Sequence, residues 1–138
     1  LDKVITAAGF VEFIKQNAEV IKAAGIFFPF IISAIIKTAQ GSSTVAIITT
    51  ASIMGAFSVD NSLMHTLGFT SEISAALCVM AIASGAMCVS HANDSYFWVV
   101  TNFSKMSAEQ GYRTQTAMTF IMGIVGIISV YILSLVLL

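Results

Sequence analysis

Residues 73–93 contain no Asp, Glu, Lys or Arg, and residues 114–138 contain none either. Runs this apolar belong in hydrocarbon, and the second is long enough to cross a bilayer as a helix, which takes about 20 residues. The rest of the chain shares the bias. It is 57% hydrophobic and 9% charged, whereas a soluble domain carries about a quarter charged residues. The chain therefore reads as an all-α integral membrane protein. Its formal net charge of −1 leaves no basic patch for nucleic acid.

Against that background the polar stretch Ser90-His91-Ala92-Asn93-Asp94-Ser95 is the organising feature. An ionisable residue at membrane depth is costly, and it marks a substrate path, an ion path or a proton relay. A second polar cluster, Lys37-Thr38-Ala39-Gln40-Gly41-Ser42-Ser43-Thr44, divides another apolar region in which Lys37 is the one charge between Ala23 and Val59.

Taken in order, residues 1–22 form an amphipathic helix, with Val4, Ala8, Val11, Ile14, Ala18 and Ile21 at steps of three and four. It is too polar to span. It fits a helix lying in the interface plane as well as an ordinary solvated helix. Residues 25–57 offer two apolar arms, each shorter than a crossing, around the Gly-containing tip. That pattern suggests a re-entrant hairpin, because irregular backbone at depth survives only against protein or a wet cavity. The rival layout is one helix ending near Lys37 and a second running from Thr38 to Val59. Residues 58–71 read as a connecting loop in which His65 faces solvent. Residues 72–104 read as a broken helix, capped at Ser71-Glu72, interrupted at Ser90–Ser95 and resumed from Tyr96 to Phe103. Phe97, Trp98 and Phe103 are expected to pack or to sit near an interface. Residues 105–113 read as a polar loop whose Lys105 and Arg113 point to the cytoplasm, while Lys3, Lys15 and Lys22 argue the other way. Residues 113–138 form the terminal helix, where Gly123 and Gly126 permit close helix contact. Cys78 and Cys88 have no CxxC spacing and read as small packing residues.

Each break has its own chemistry. At the first, Gly41 lets the backbone bend. The arm starting near Thr44 then presents free N–H groups that suit an anion, and Ser42, Ser43 and Thr44 add hydroxyls. In membrane helices such hydroxyls also serve to bond back to the backbone. At the second, Asn93 and Ser95 can cap the Tyr96 arm or hold a ligand. Asp94 can cap that arm or take up a proton, and His91 can titrate or simply line the break. A Ser90-His91-Asp94 triad is set aside: three residues within five positions do not make the convergent geometry of a triad. Two broken helices with inward half-helix starts are the pattern of secondary transporters.

Two strings carry a resemblance. Ile36-Lys37-Thr38-Ala39-Gln40-Gly41-Ser42-Ser43-Thr44-Val45-Ala46, with Thr49-Thr50-Ala51 behind it, and Ser90-His91-Ala92-Asn93-Asp94-Ser95-Tyr96-Phe97-Trp98 resemble the signatures of the gluconate permease family. Its members are proton-coupled importers of gluconate and related hydroxy acids, of the ion-transporter type. The resemblance covers essentially the whole chain, as the last third of such a permease. It implies a fold of two inverted repeats, each with a re-entrant hairpin and a broken helix. It also implies that Ser42, Ser43, Thr44, Asn93 and Asp94 face substrate and coupling ion. Ser43 stands where the family has a small Ala, Lys37 where Arg is common, and Tyr96 where Gly is usual. Tyr96 would narrow the pocket, which leaves the choice among gluconate, other sugar acids and D-serine open.

The expectation is therefore a carboxyl-terminal segment of a bacterial inner-membrane symporter, not an enzyme. Gly41, Ser42, Ser43, Thr44, Asn93 and Ser95 would hold a small organic anion. Asp94, with His91, would carry the proton. No cofactor or metal is expected beyond the coupling ion, H⁺ or in the nearest variant Na⁺. The partners are the lipid bilayer and the remainder of the transporter chain, with a homo-oligomer compatible. The competing class is a non-transporting membrane assembly subunit, in which Asn93 and Asp94 would tolerate Ala.

Overall fold

The computed structural model of the chain describes residues 22, 24–60 and 62–138. The amphipathic helix expected over residues 1–22 lies, but for Lys22, outside the described residues. Among the described residues every regular element is helical. In chain order they are α1 (Phe27–Gln40), α2 (Ser43–Met54), α3 (Leu63–Thr66), α4 (Glu72–Met87), α5 (Ser95–Phe103), α6 (Ala108–Gly111) and α7 (Ala117–Leu137), with a π-helical turn, Tyr112–Thr116, between the last two.

Helix α1 carries the chain's single proline, Pro29, in its first turn, where the missing N–H has no intrahelical partner to lose. It stops at Gly41, whose φ of 70° is left-handed and whose N–H returns to the Lys37 carbonyl. Ser42 then takes an extended conformation and caps α2, its Oγ accepting from the Val45 N–H. The interruption at Gly41 and Ser42 rules out a single helix from Thr38 to Val59. At 14 and 12 residues, α1 and α2 are roughly 20 Å long, short of a hydrocarbon core of about 30 Å. They pack on each other, and both pack on α4.

The segment expected as a plain loop between α2 and α4 contains a helical turn. Ser62 caps α3 through the His65 N–H, and Leu63, Met64, Leu67 and Phe69 are buried. His65 sits on this turn, 3.7 Å from the exposed Asp60 carboxylate.

Helix α4 opens on a capping box, Ser71 and Ser74 each bonding to the other's backbone N–H. Substituting Ser71 by Ala is expected to cost about 1 kcal/mol, read as a lower unfolding midpoint of the full-length protein in detergent. The buried face of α4, including Leu77, Cys78, Ala81 and Ile82, meets α1 on one side and α7 on the other. Ser33 Oγ of α1 donates to the Ile82 carbonyl at 2.8 Å. Gly123 and Gly126 of α7 lie against Cys88 and Ser84, so these glycines do set a close helix contact. Ile26, Met54, Leu63, Ile82, Ile127 and Val130 join these elements in one core. Cys78 and Cys88 are free and buried.

The terminal helix starts earlier than expected. Ser107 and Gln110 form a second capping box, so residues 108–113, expected in a polar loop, are already helical. The helix runs from Ala108 to Leu137 over 30 residues, with a mean hydropathy of 2.6 in its most apolar window. It is the one described helix long and apolar enough to cross a membrane. Phe120, Ile121, Val125, Ile128, Ile132 and Leu135 are all about half exposed or more, which is the surface a lipid-facing helix presents.

Candidate functional site

The two breaks in the sequence meet in space. A Cβ added to Gly41 would overlap the backbone carbonyl of Asn93, so the end of α1 and the turn before α5 are in direct backbone contact. Only a glycine can occupy that position, for its left-handed φ and for the room it leaves.

Helix α1 delivers Lys37 into this junction from its last turn. Its side chain is 3% exposed and its Nζ lies 2.6 Å from Asp94 Oδ2. Ser90 Oγ donates to the same carboxylate oxygen at 2.6 Å. The other oxygen, Oδ1, accepts the Tyr96 N–H at 3.0 Å and so caps α5. Lys37 Nζ also reaches the Gly41 carbonyl at 3.3 Å. The carboxylate therefore has partners on both oxygens, and the ammonium touches both breaks. Removing two charges from water is tolerated where each finds its counter-ion and further hydrogen bonds.

The second break in turn completes the first helix. The last carbonyls of any helix lack intrahelical partners. Here Asn93 Nδ2 donates to the Thr38 carbonyl at 2.7 Å and to the Ala39 carbonyl at 3.3 Å. His91 Nε2 lies 3.1 Å from the same Thr38 oxygen, a contact in which the ring nitrogen is the donor because a carbonyl can only accept. The turn is braced from behind as well. Val89 has a φ of 50°, unfavourable for a β-branched residue. Next to it, the Ser90 N–H donates to Thr119 Oγ1 at 3.0 Å and Thr116 Oγ1 donates to the Ser90 carbonyl at 2.6 Å. Trp98 Nε1 closes the turn onto the Ala92 carbonyl at 2.7 Å.

The residues singled out in the sequence fall into three groups. Gly41 and Asp94 are buried at the junction; Ser42, Ser43 and His91 are half-buried; Thr44, Asn93 and Ser95 are exposed. Ser42 caps α2, and Ser43 Oγ donates to the Ala86 carbonyl of α4 at 2.8 Å. Asp94, not Asn93 or Ser95, caps α5. Ser90 bonds Asp94 while the His91 ring turns to α1, so the three do not form a triad. Two partners went unassigned in the sequence, Lys37 and Ser90. The signal for Lys37 was present: a lone cation in one apolar region and a lone anion in another satisfy each other's charge.

Comparison with known proteins agrees with the two strings. The family model for GntP family permeases matches residues 1–136. A gluconate permease of Pseudomonas aeruginosa is 31% identical over 135 residues, 98% of this chain and 28% of the relative. The inner membrane permease YgbN of Escherichia coli is 36% identical over 97 residues, 70% of this chain and 19% of the relative. The high-affinity gluconate transporter of Escherichia coli is 29% identical over 107 residues, 78% of this chain and 23% of the relative. The chain thus spans between 19% and 28% of the length of these relatives. No solved structure matches it. The apolar helices and the family match agree: this is a membrane protein, and the chain belongs to the GntP family of permeases, a transporter lineage and not a family of enzymes.

Proposed function

We propose that the full protein is a secondary active transporter that imports gluconate or a related small hydroxy acid across the bacterial inner membrane together with protons. The observation that carries this reading is the Lys37–Asp94 pair, buried where two interrupted helices meet. Ionisable groups within membrane segments mark substrate paths, ion paths or proton relays. Relatives that are a gluconate permease and a high-affinity gluconate transporter supply the substrate class.

In this reading α1 and α2 are a re-entrant hairpin, α4 and α5 a broken helix, and α7 a crossing of a multi-pass protein whose further length supplies an inverted repeat. The free amides at the start of α2, beside the Gly41 turn, the hydroxyls of Ser42, Ser43, Thr44 and Ser95, and the side-chain oxygen of Asn93 hold the substrate. Asp94 carries the proton, with His91 beside it.

The test uses the full-length protein in sodium-free proteoliposomes. An imposed proton gradient is expected to drive accumulation of labelled gluconate, and Asp94→Asn is expected to abolish accumulation. Accumulation that requires a sodium gradient would replace the proton as coupling ion. Normal proton-driven accumulation by Asp94→Asn would remove Asp94 from the mechanism.

A further inference from the structure

We propose that Lys37 is the group that binds the substrate's carboxylate, and that Asp94 is its internal stand-in for that carboxylate. This rests on the transport reading above and adds to it the residue that recognises the anion and the reason a proton must accompany it.

The geometry points to an exchange of partners. Lys37 Nζ lies 2.6 Å from Asp94 Oδ2 and 3.3 Å from the Gly41 carbonyl, at the seam between the two breaks. One edge of that seam is exposed at Thr38, Asn93 and Ser95. The lysine reaches the seam on a flexible stem of four carbons and presents three donors, so its ammonium can follow an oxygen anion over a short distance. Among the described residues no second cation faces this pair. Helices α2 and α7 carry no Asp, Glu, Lys, Arg or His. Helix α4 brings Cys78, with Cys88 after it, and Glu72 in the turn at its far end. Helix α5 brings Tyr96, and the preceding turn brings His91, whose ring is on the Thr38 carbonyl. On the terminal helix, Arg113 is exposed and paired with Glu109.

Charge neutrality then links the two cargoes. With the site empty, the Lys37 ammonium and the Asp94 carboxylate cancel. When a proton from water binds Asp94 Oδ2, the ion pair opens and the ammonium is left uncompensated. When a substrate carboxylate arrives alone, the site holds two anions and one cation. Either half-loaded state buries a net charge, which low-dielectric surroundings disfavour strongly. With both aboard, the ammonium faces the substrate carboxylate, Asp94 is a neutral acid, and the site is neutral again. One proton enters for each carboxylate. Ser90 and the Tyr96 N–H, already on Asp94, keep the acid in place after the lysine has left it.

The test is equilibrium binding of labelled gluconate to the purified full-length protein from mildly acidic to mildly alkaline medium. Wild type is expected to bind more weakly as the medium becomes alkaline. Asp94→Asn removes the stand-in and is expected to bind with an affinity that no longer changes with pH. Lys37→Gln/Asp94→Asn keeps the site neutral, which protects folding, and is expected to bind about tenfold to a hundredfold more weakly, the loss of one charge-assisted contact. A pH dependence in Asp94→Asn that parallels wild type, or near wild-type affinity in the double variant, overturns the proposal. Neither result bears on whether wild type transports gluconate, which the proteoliposome experiment decides separately.

Discussion

Alanine at Gly41 is expected to destabilise the full-length protein by roughly 2–5 kcal/mol, and to abolish uptake with it. Two costs combine. The residue's φ is 70°, a conformation that an L side chain adopts at a cost of about 1–2 kcal/mol. The added methyl group would also overlap the Asn93 carbonyl. That neighbour is backbone, held by the hydrogen bonds of its own turn, so it has little freedom to retreat. Overpacking of this kind costs about 1–3 kcal/mol. Gly68 supplies the control. Its φ is 90° and nothing lies within 4 Å of a Cβ there, so Gly68→Ala should show the conformational cost alone. Thermal unfolding in detergent compares the two. Equal losses at both positions would mean that the breaks are not pressed together as described.

The second large effect is expected from Lys37→Met. The substitution keeps the volume of the stem and removes the cation, leaving the Asp94 carboxylate buried without its counter-ion. Breaking one side of a buried pair typically costs about 3–5 kcal/mol. Lys37→Met/Asp94→Asn should recover most of that loss, because the substituted amide would still cap α5 with its oxygen while its NH2 donates to Ser90 Oγ in place of the bond that Ser90 now makes. A double-mutant cycle on unfolding free energies measures the coupling, which should far exceed the few tenths of a kcal/mol expected for independent sites. Additive losses would show that the two charges do not depend on each other in the folded protein.

The sequence showed where the chain bends better than it showed what the bends do to one another. Gly41 followed by three hydroxyl residues marks an interruption on local grounds, since glycine permits a left-handed turn and serine caps the helix after it. Ser71 before Glu72 marks a helix start in the same way. These are short-range effects and leave a short-range signature. The Lys37–Asp94 contact crosses 57 positions, and no spacing rule reaches that far; only the scarcity of charge hinted at it. The early start of the terminal helix was missed for a different reason. Its capping box, Ser107 with Gln110, lies among polar residues, where hydrophobic periodicity is silent. The turn at Leu63 and Met64 was missed because its two buried residues are too few to show a period.

Thr38, Ala39, Asn93 and His91 have a consequence for how such a protein can move. Each interruption is completed by groups that belong to the other: amide and imidazole donors serve the end of α1, and the α1 ammonium serves the carboxylate that starts α5. Parting the two breaks as bodies would strip several donors and acceptors at once. The pair is therefore expected to open cooperatively, as one gate with two leaves, and not as two gates that swing in turn.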